Sequence, residues 1–203
     1  MISYCFRALG WRLVGVRLLR RGMALALSLL MSASVTAQDV DPGAKARSQM
    51  DRLKVLEGEY RLVVHVTNDD GATWQQGPAQ KVEIRLRHNG LLLEELPVEL
   101  AEQGFHMNTY LTFDQYRSVF RKAAIDDVWG VMDIYQGKIA DGTLVLTNLE
   151  SGTLFPVGPD TWRGFRLSLP LVSGERTMLI EKTDDLGKSW QPAFKSVYTP
   201  NTP

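Results

Sequence analysis

The chain has 203 residues with 23 basic and 23 acidic side chains, so its formal net charge is zero. Residues 1–37 hold five arginines and no acid, which leaves 18 basic against 23 acidic side chains in the rest. Residues 38–203 are therefore mildly acidic and lack the clustered positive charge that nucleic-acid binding needs. The single cysteine, Cys5, lies in the N-terminal segment, so the remainder has no disulfide, cysteine-ligated metal or cysteine nucleophile. We expect no cofactor.

The first 37 residues are typical of a bacterial export signal. Three arginines, Arg17, Arg20 and Arg21, precede a short apolar run over residues 23–31, and small side chains follow up to Ala37. We therefore predict a signal peptide over 1–37 and a periplasmic or secreted protein. The apolar run is shorter than the roughly 20 residues that span a bilayer, so we expect no stable membrane span. An uncleaved N-terminal anchor is the alternative.

Residues 38–58 are predicted to form a linker with one short helix. Asp41-Pro42 resembles a helix start, with proline in the first turn. An apolar stripe follows and ends at Gly58, so a helix within 39–57 could close one end of a barrel. An ordered linker that leads into the first strand is the alternative.

From residue 59 to 203 the pattern changes to the two-residue alternation of half-buried strands, as in segments 60–66 and 82–87. Asn89-Gly90 then marks a hairpin. Further strand-like runs are 91–96, 105–113, 116–123, 128–136, 143–149, 161–169, 175–183 and 190–198. About ten short strands with short links favour an antiparallel sheet. Because closure removes exposed edges, we predict an all-β, up-and-down barrel, with a β-sandwich as the alternative.

One motif, T-x-D-x-G-x-[ST]-W, occurs twice, at residues 67–74 and 183–190. The threonine and aspartate can accept hydrogen bonds from turn amides, and the glycine can adopt a positive φ angle. The pattern resembles the Asp-box of sialidases and other propeller proteins, where it is a structural hairpin. We therefore assign both copies to folding. The alternative is a carbohydrate-contacting loop with Trp74 or Trp190 as a stacking surface.

The run from Met50 to Tyr198 resembles a family of uncharacterised bacterial secreted proteins with a lipocalin-like or fatty-acid-binding-protein-like barrel. The resemblance rests on the order of weak motifs: residues 56–60, 112–116, 137–144 and 185–198. Members commonly carry tryptophan where this chain has Tyr60. The resemblance implies the barrel fold, but it implies no reaction, because a shared fold does not transmit function.

No known catalytic or metal-binding motif is present. The histidines, His65, His88 and His106, lack ligand spacing, although adjacent strands could bring His88 and His106 together. Two adjacent acidic residues on a strand cannot act together as a general acid and base, because neighbouring side chains point to opposite faces of the sheet. We therefore name no catalytic residue.

A ligand site inside the barrel would be lined by one parity of each strand, and the sequence leaves that parity open. The polar residues expected to point inward are Tyr110, Arg117, Tyr135 and Arg166. An inward arginine would favour a carboxylate- or phosphate-bearing ligand. Phe120 and Phe165 complete the predicted ligand-binding set. The remaining apolar candidates for the lining are Leu62, Val64, Ile84, Leu86, Met107, Leu111, Phe113, Met132 and Leu167.

We therefore expect a binding protein for a small apolar or amphipathic ligand. The first alternative is an interaction or structural protein that acts through its outer surface. The second, less favoured, is an enzyme in the barrel mouth. Ligand identity and oligomeric state are not readable from the sequence.

Overall fold

The computed structural model describes residues 41–99 and 105–201. The predicted signal peptide (1–37) and the start of the predicted helix lie outside these residues. The strands are β1 (Gly58–Val66), β2 (Gln75–Arg87), β3 (Leu92–Glu99), β4 (Met107–Asp114), β5 (Val119–Asp126), β6 (Met132–Ala140), β7 (Thr143–Thr147), β8 (Phe155–Pro156), β9 (Trp162–Pro170), β10 (Arg176–Thr183) and β11 (Gln191–Pro200).

The sheet closes on itself as an antiparallel barrel of ten strands. Strands β1 to β7 pair with their neighbours in sequence, β7 and β10 both pair with β9, and β11 pairs with β10 and β1. The two-residue β8 pairs only with the start of β9 and stands outside the ring. The predicted barrel is thereby confirmed, and the sandwich is wrong because no edge is left between two sheets.

Alternation along each strand fills the interior. In β4, Thr109, Leu111 and Phe113 are buried and the residues between them are half-exposed. In β5 the buried positions are Phe120, Lys122 and Ala124. The inward faces of the strands together form a single hydrophobic core. Two inward residues of β4 and β5, Thr109 and Lys122, are polar.

The predicted helix is shorter than expected. It consists of helix α1 (Ala44–Met50) followed by a 3₁₀ helix over Asp51–Leu56. Asp41 and Pro42 precede the helix instead of starting it, because Gly43 is the N-cap; the Asp41 side chain accepts the Gly43 N–H at 2.9 Å in the turn before the helix. Met50, Leu53 and Leu56 are fully buried at three-residue spacing, which the three-residue turn of a 3₁₀ helix places on one face.

This helical segment closes one end of the barrel, which we call the closed end. Lys45 binds the carbonyl oxygen of Gln115 and the hydroxyl of Ser118 in the β4–β5 turn, and Leu56 reaches the interior. The opposite end, here called the loop end, carries the β1–β2, β3–β4, β5–β6 and β10–β11 connections because the strands alternate in direction.

The two copies of the repeated motif form the same turn at the loop end. In residues 67–74, Thr67 Oγ1 donates to Asp69 Oδ1 at 2.7 Å and accepts the Gly71 N–H at 3.0 Å. In residues 183–190 the matching bonds measure 2.7 and 2.9 Å. The predicted local chemistry is present in both turns.

The two tryptophans of these turns also occupy matching places. Trp74 lies against Lys195 and Trp190 against Arg166, each with the cation 4.5 Å from the ring centroid. In each case the cation sits two strands away, across the first strand of the hairpin. Each ring therefore has a basic side chain of its own barrel on one face.

Candidate ligand site in the barrel interior

A buried arginine marks the centre of the candidate site. Arg176 begins β10 opposite Tyr198 of β11 and is 3% exposed. Its guanidinium carbon lies 4.2 Å from the ring centroid of Tyr60 and 4.9 Å from that of Tyr198. One nitrogen, Nη2, donates to the Leu56 carbonyl at 3.3 Å, whereas Nε and Nη1 are buried without a hydrogen-bond partner. Two donors of a permanent cation are thus unsatisfied.

A second cation, Lys122, points into the same interior from β5. It is 7% exposed and stands between Leu111 of β4 and Tyr135 of β6 in the ladder. Within the described part of the chain its ammonium forms neither a hydrogen bond nor an ion pair. Burial lowers the pKa of Lys122 because it penalises the charged form, and the carboxylates of Glu95 and Asp133 only partly offset this.

One carboxylate belongs to this group. The hydroxyl of Tyr198 donates to Glu95, with its oxygen 3.1 Å from Oε1 and 3.3 Å from Oε2. Burial first, and then the Glu95 charge, raise the pKa of Tyr198 well above its usual value. The tyrosine therefore stays protonated and keeps Glu95 as a hydrogen-bond acceptor.

These groups surround a small cavity of about 30 Å³. By volume it has room for about two water molecules, since one water needs roughly 10–15 Å³ on this measure. Its polar wall consists of Glu95, Thr109, Lys122, Arg176 and Tyr198, and leucine, isoleucine and methionine side chains form the rest. The wall thus combines two basic side chains and one carboxylate within an apolar enclosure.

A second buried polar cluster lies nearer the loop end and is fully bonded. Asp133 of β6 accepts from Asn148 Nδ2 at 3.2 Å on both oxygens and from Thr153 Oγ1 at 2.5 Å. Asn148 Oδ1 in turn accepts the Phe165 N–H at 2.7 Å. These bonds tie the β7–β9 connection to the barrel and leave no carboxylate oxygen without a partner.

Three of the six predicted ligand-binding residues lie inside the barrel. Tyr135 and Phe120 are buried on inward positions of β6 and β5. Phe165 packs on Phe155 and Phe194, with ring centroids 5.6 and 6.2 Å apart. None of these three residues lines the small cavity.

The other three lie outside the interior. Tyr110 falls between the inward residues of β4 and faces outward. Arg117 is exposed in the β4–β5 turn, where Nη1 binds Asp114 Oδ2 at 3.0 Å. Arg166 faces outward on β9 and binds Glu181 of β10 at 2.8 Å. The expectation that these polar side chains point inward is therefore wrong for all three: Tyr110 lies on the outward positions of β4, Arg117 lies in a turn, and Arg166 is paired on the outer surface.

The apolar candidates for the lining divide in the same way. Ile84, Leu111 and Leu167 line the cavity, and Leu62 and Phe113 are buried in the core around it. Val64, Leu86 and Met107 are partly buried against that core. Met132 is exposed at the start of β6, so its expected place in the lining is wrong.

The sequence carried a signal for the residues that were missed. Lys122 is two residues from both Phe120 and Ala124, so all three lie on the same face of their strand. Arg176 shares a strand face with Met178 and Ile180 in the same way. The signal is a basic residue at a position where the alternating pattern of the strand expects an apolar one. It can be interpreted only when it is known which alternate residues face the interior, and the sequence of one strand alone does not show this.

Histidines do not assemble a centre. His88 lies in the β2–β3 turn at the closed end and His106 at the loop end, so the two are not brought together. His106 Nδ1 lies 2.6 Å from Asp127 Oδ2 instead. Among the residues that the structure describes, no group of three or more His, Cys, Asp or Glu side chains could hold a metal ion.

No helix within residues 41–99 and 105–201 is both long enough and apolar enough to cross a membrane. The chain matches no protein-family model and no curated protein.

Proposed function

We propose that this protein binds a small amphipathic ligand in the barrel interior and that Arg176 anchors an anionic group of that ligand. The observation behind this proposal is the buried guanidinium with two unpartnered nitrogen donors, Nε and Nη1, at an apolar cavity. Leaving charged donors unpaired in a core costs stability, and a bound anion would satisfy them. The leucine-rich wall suits the apolar part of the same molecule.

Charge and size narrow the ligand to a small monocarboxylate. Arg176 supplies one permanent positive charge on the cavity wall, and its two unpartnered nitrogens can donate to the two oxygens of one carboxylate. A phosphate would bring more charge than this and would meet Glu95. A cavity of about 30 Å³, with the volume of about two waters, limits the ligand to a carboxylate with very few carbons, and a longer chain would have to displace leucine side chains.

Calorimetric titration of the full chain with acetate, butyrate and octanoate tests this proposal. We expect the shorter carboxylates to bind, and we expect Arg176→Gln to abolish that binding. The matched control is Arg166→Gln, which removes an outward arginine and should leave binding unchanged. Arg176→Lys should bind weakly, since it keeps the charge without the planar donors. Equal binding by the Arg176→Gln variant, or no binding by the native chain, would overturn the proposal.

The alternative, a protein that acts through its outer surface, draws on a different observation. Trp129 is 72% exposed beside Val128 and Met132 at the loop end, and its ring centroid is 5.7 Å from that of Phe105. An exposed aromatic cluster of this kind is typical of a binding surface. Trp129→Ser should weaken partner capture under this alternative and should leave carboxylate binding intact.

Export from a bacterial cytoplasm and membership of a lipocalin-like family are also part of the proposal. They draw on the arginine-led apolar segment and on the motif order in the sequence. Periplasmic fractionation of cells that express the full chain, with sequencing of the mature N-terminus, tests export.

A further inference from the structure

We infer that Lys122 is a reactive amine, which condenses with the carbonyl group of a small aldehyde or 2-oxo acid held in the interior cavity. Lys122 lines the same cavity as Arg176 and is 7% exposed. The described residues give its Nζ atom neither a hydrogen bond nor an ion pair. Only the choice of a 2-oxo acid over a neutral aldehyde rests on the proposed carboxylate anchor.

Condensation requires the neutral amine, because an ammonium has no lone pair to attack a carbonyl carbon. The groups that face Lys122 from the surrounding strands are Glu95 of β3, Asp133 and Tyr135 of β6, Arg176 of β10 and Tyr198 of β11. The two carboxylates favour the ammonium, but burial outweighs them and lowers the pKa of Lys122. Lys54, by contrast, is exposed and paired with Asp51, which raises its pKa. Lys122 therefore has the larger neutral fraction of the two near neutral pH.

The reaction balances without a further reagent. The Nζ lone pair forms a bond to the carbonyl carbon, and the carbonyl oxygen gains a proton while the nitrogen loses one, which gives a carbinolamine. The nitrogen then loses its second proton, the hydroxyl leaves as water, and a carbon–nitrogen double bond forms. Glu95, which already accepts a hydrogen bond from Tyr198, is the group on the cavity wall that can carry these protons.

Arg176 on the same wall identifies the carbonyl compounds that the site would favour. A 2-oxo acid carries a carboxylate next to its carbonyl, so one small molecule could engage both the guanidinium and the amine. A neutral aldehyde of equal size could engage the amine alone. The pair of probes therefore separates the two roles.

Reductive labelling of the full native chain tests the inference. The protein is incubated with propanal or with glyoxylate and sodium cyanoborohydride at about pH 7, and peptide mass spectrometry follows each lysine over time. We expect Lys122 to be labelled about tenfold faster than Lys54 with either probe. Lys122→Met should lose the fast label, and Lys54→Met, the matched exposed control, should keep it. Labelling of Lys122 no faster than Lys54 with both probes would overturn the inference.

Arg176→Gln distinguishes this inference from the proposed function. We expect this variant to lose fast labelling by glyoxylate and to keep fast labelling by propanal. If glyoxylate labels the variant as fast as the native chain, the carboxylate anchor fails while the reactive amine stands. If neither probe labels Lys122 faster than Lys54 in the native protein, the reactive amine fails whatever carboxylates bind.

Discussion

Two polar clusters lie inside the same barrel, and they differ in how completely they are bonded. Around Asp133, two side-chain donors and the backbone N–H of Phe165 close a complete network with Asn148 and Thr153. Around Arg176 and Lys122, two guanidinium nitrogens are buried without partners, and the Lys122 amine forms no hydrogen bond or ion pair among the described residues. Both clusters are therefore buried, but the polar groups of the first are all hydrogen-bonded and several of those in the second are not.

The difference separates a structural role from a functional one. A satisfied buried network stabilises the strands and loops that it joins, whereas a half-satisfied one costs more than an apolar core. The Asp133 cluster thus fastens the β7–β9 connection. The Arg176 cluster weakens the fold as it stands, and a ligand that satisfied it would recover that free energy.

The largest effect should come from breaking the satisfied cluster. Asp133→Ala removes the acceptor of Asn148 and Thr153, and we expect it to lower the free energy of unfolding by about 3 kcal/mol. Urea denaturation followed by circular dichroism measures the loss. Asp160→Ala, an exposed loop variant, is the control and should change little. A loss no greater than in that control would show that the network does not fasten the fold.

Removing the buried amine should act in the other direction. Lys122→Met keeps the length of the side chain and removes a charge that burial penalises, so we expect it to stabilise the protein by about 1–3 kcal/mol near neutral pH. Urea denaturation measures this change. A destabilised Lys122→Met variant would mean that the ammonium has a partner.

The same residue predicts how stability depends on pH. Because the folded-state pKa of Lys122 lies below its ordinary value of 10.5, the unfolded chain binds more protons between those two values. Stability of the native protein should therefore rise with pH across that interval, and Lys122→Met should lose this contribution. Denaturation series in alkaline buffers compare the two proteins, and parallel curves would contradict the prediction.

Replacing the unsatisfied arginine should change stability less than either. Arg176→Met loses the contacts with Tyr60 and Tyr198 and one bond to Leu56, but it also removes two unpaired donors. We expect these effects to cancel to within about 1 kcal/mol. A loss as large as that of Asp133→Ala, in the same denaturation assay, would abolish the distinction between the clusters.

The smallest effects should come from the twin turns, which are fully bonded but exposed to water. Bonds from Thr73 and Thr67 lower the pKa of Asp69 to about 2, so its stabilising contribution is fully present above pH 3.8 and is lost as the pH falls from 3.8 through about 2. Asp69→Asn and the matching Asp185→Asn should lower the melting temperature slightly and equally at neutral pH. Calorimetry measures both, and a clear difference between them would show that the repeated bonds are not equivalent in strength.

Strand number and closure were predictable because alternation is a property of each strand alone. The interior site was not, since it depends on which parity of several strands faces inward. Arg117 was misplaced because the fifth strand was expected to start at Tyr116, whereas Asp114 and the positive φ of Ser118 hold residues 115–118 as a turn. Arg166 was wrongly predicted to point inward. Its partner Glu181 lies opposite it on β10, and the sequence around Arg166 does not reveal the register of that strand pair.

The pairing of β11 with β1 has a consequence for how the protein is made. These two strands meet along their length, from Tyr60 opposite Pro200 to Val66 opposite Phe194. Ribosomes deliver β1 first and β11 last among these strands, so the ring stays open until β11 has been made. Throughout that interval β1 presents an unpaired, apolar-faced edge, which is the kind of surface that joins strands of other chains. The cell must therefore keep the β1 edge from pairing with other nascent chains until β11 is available.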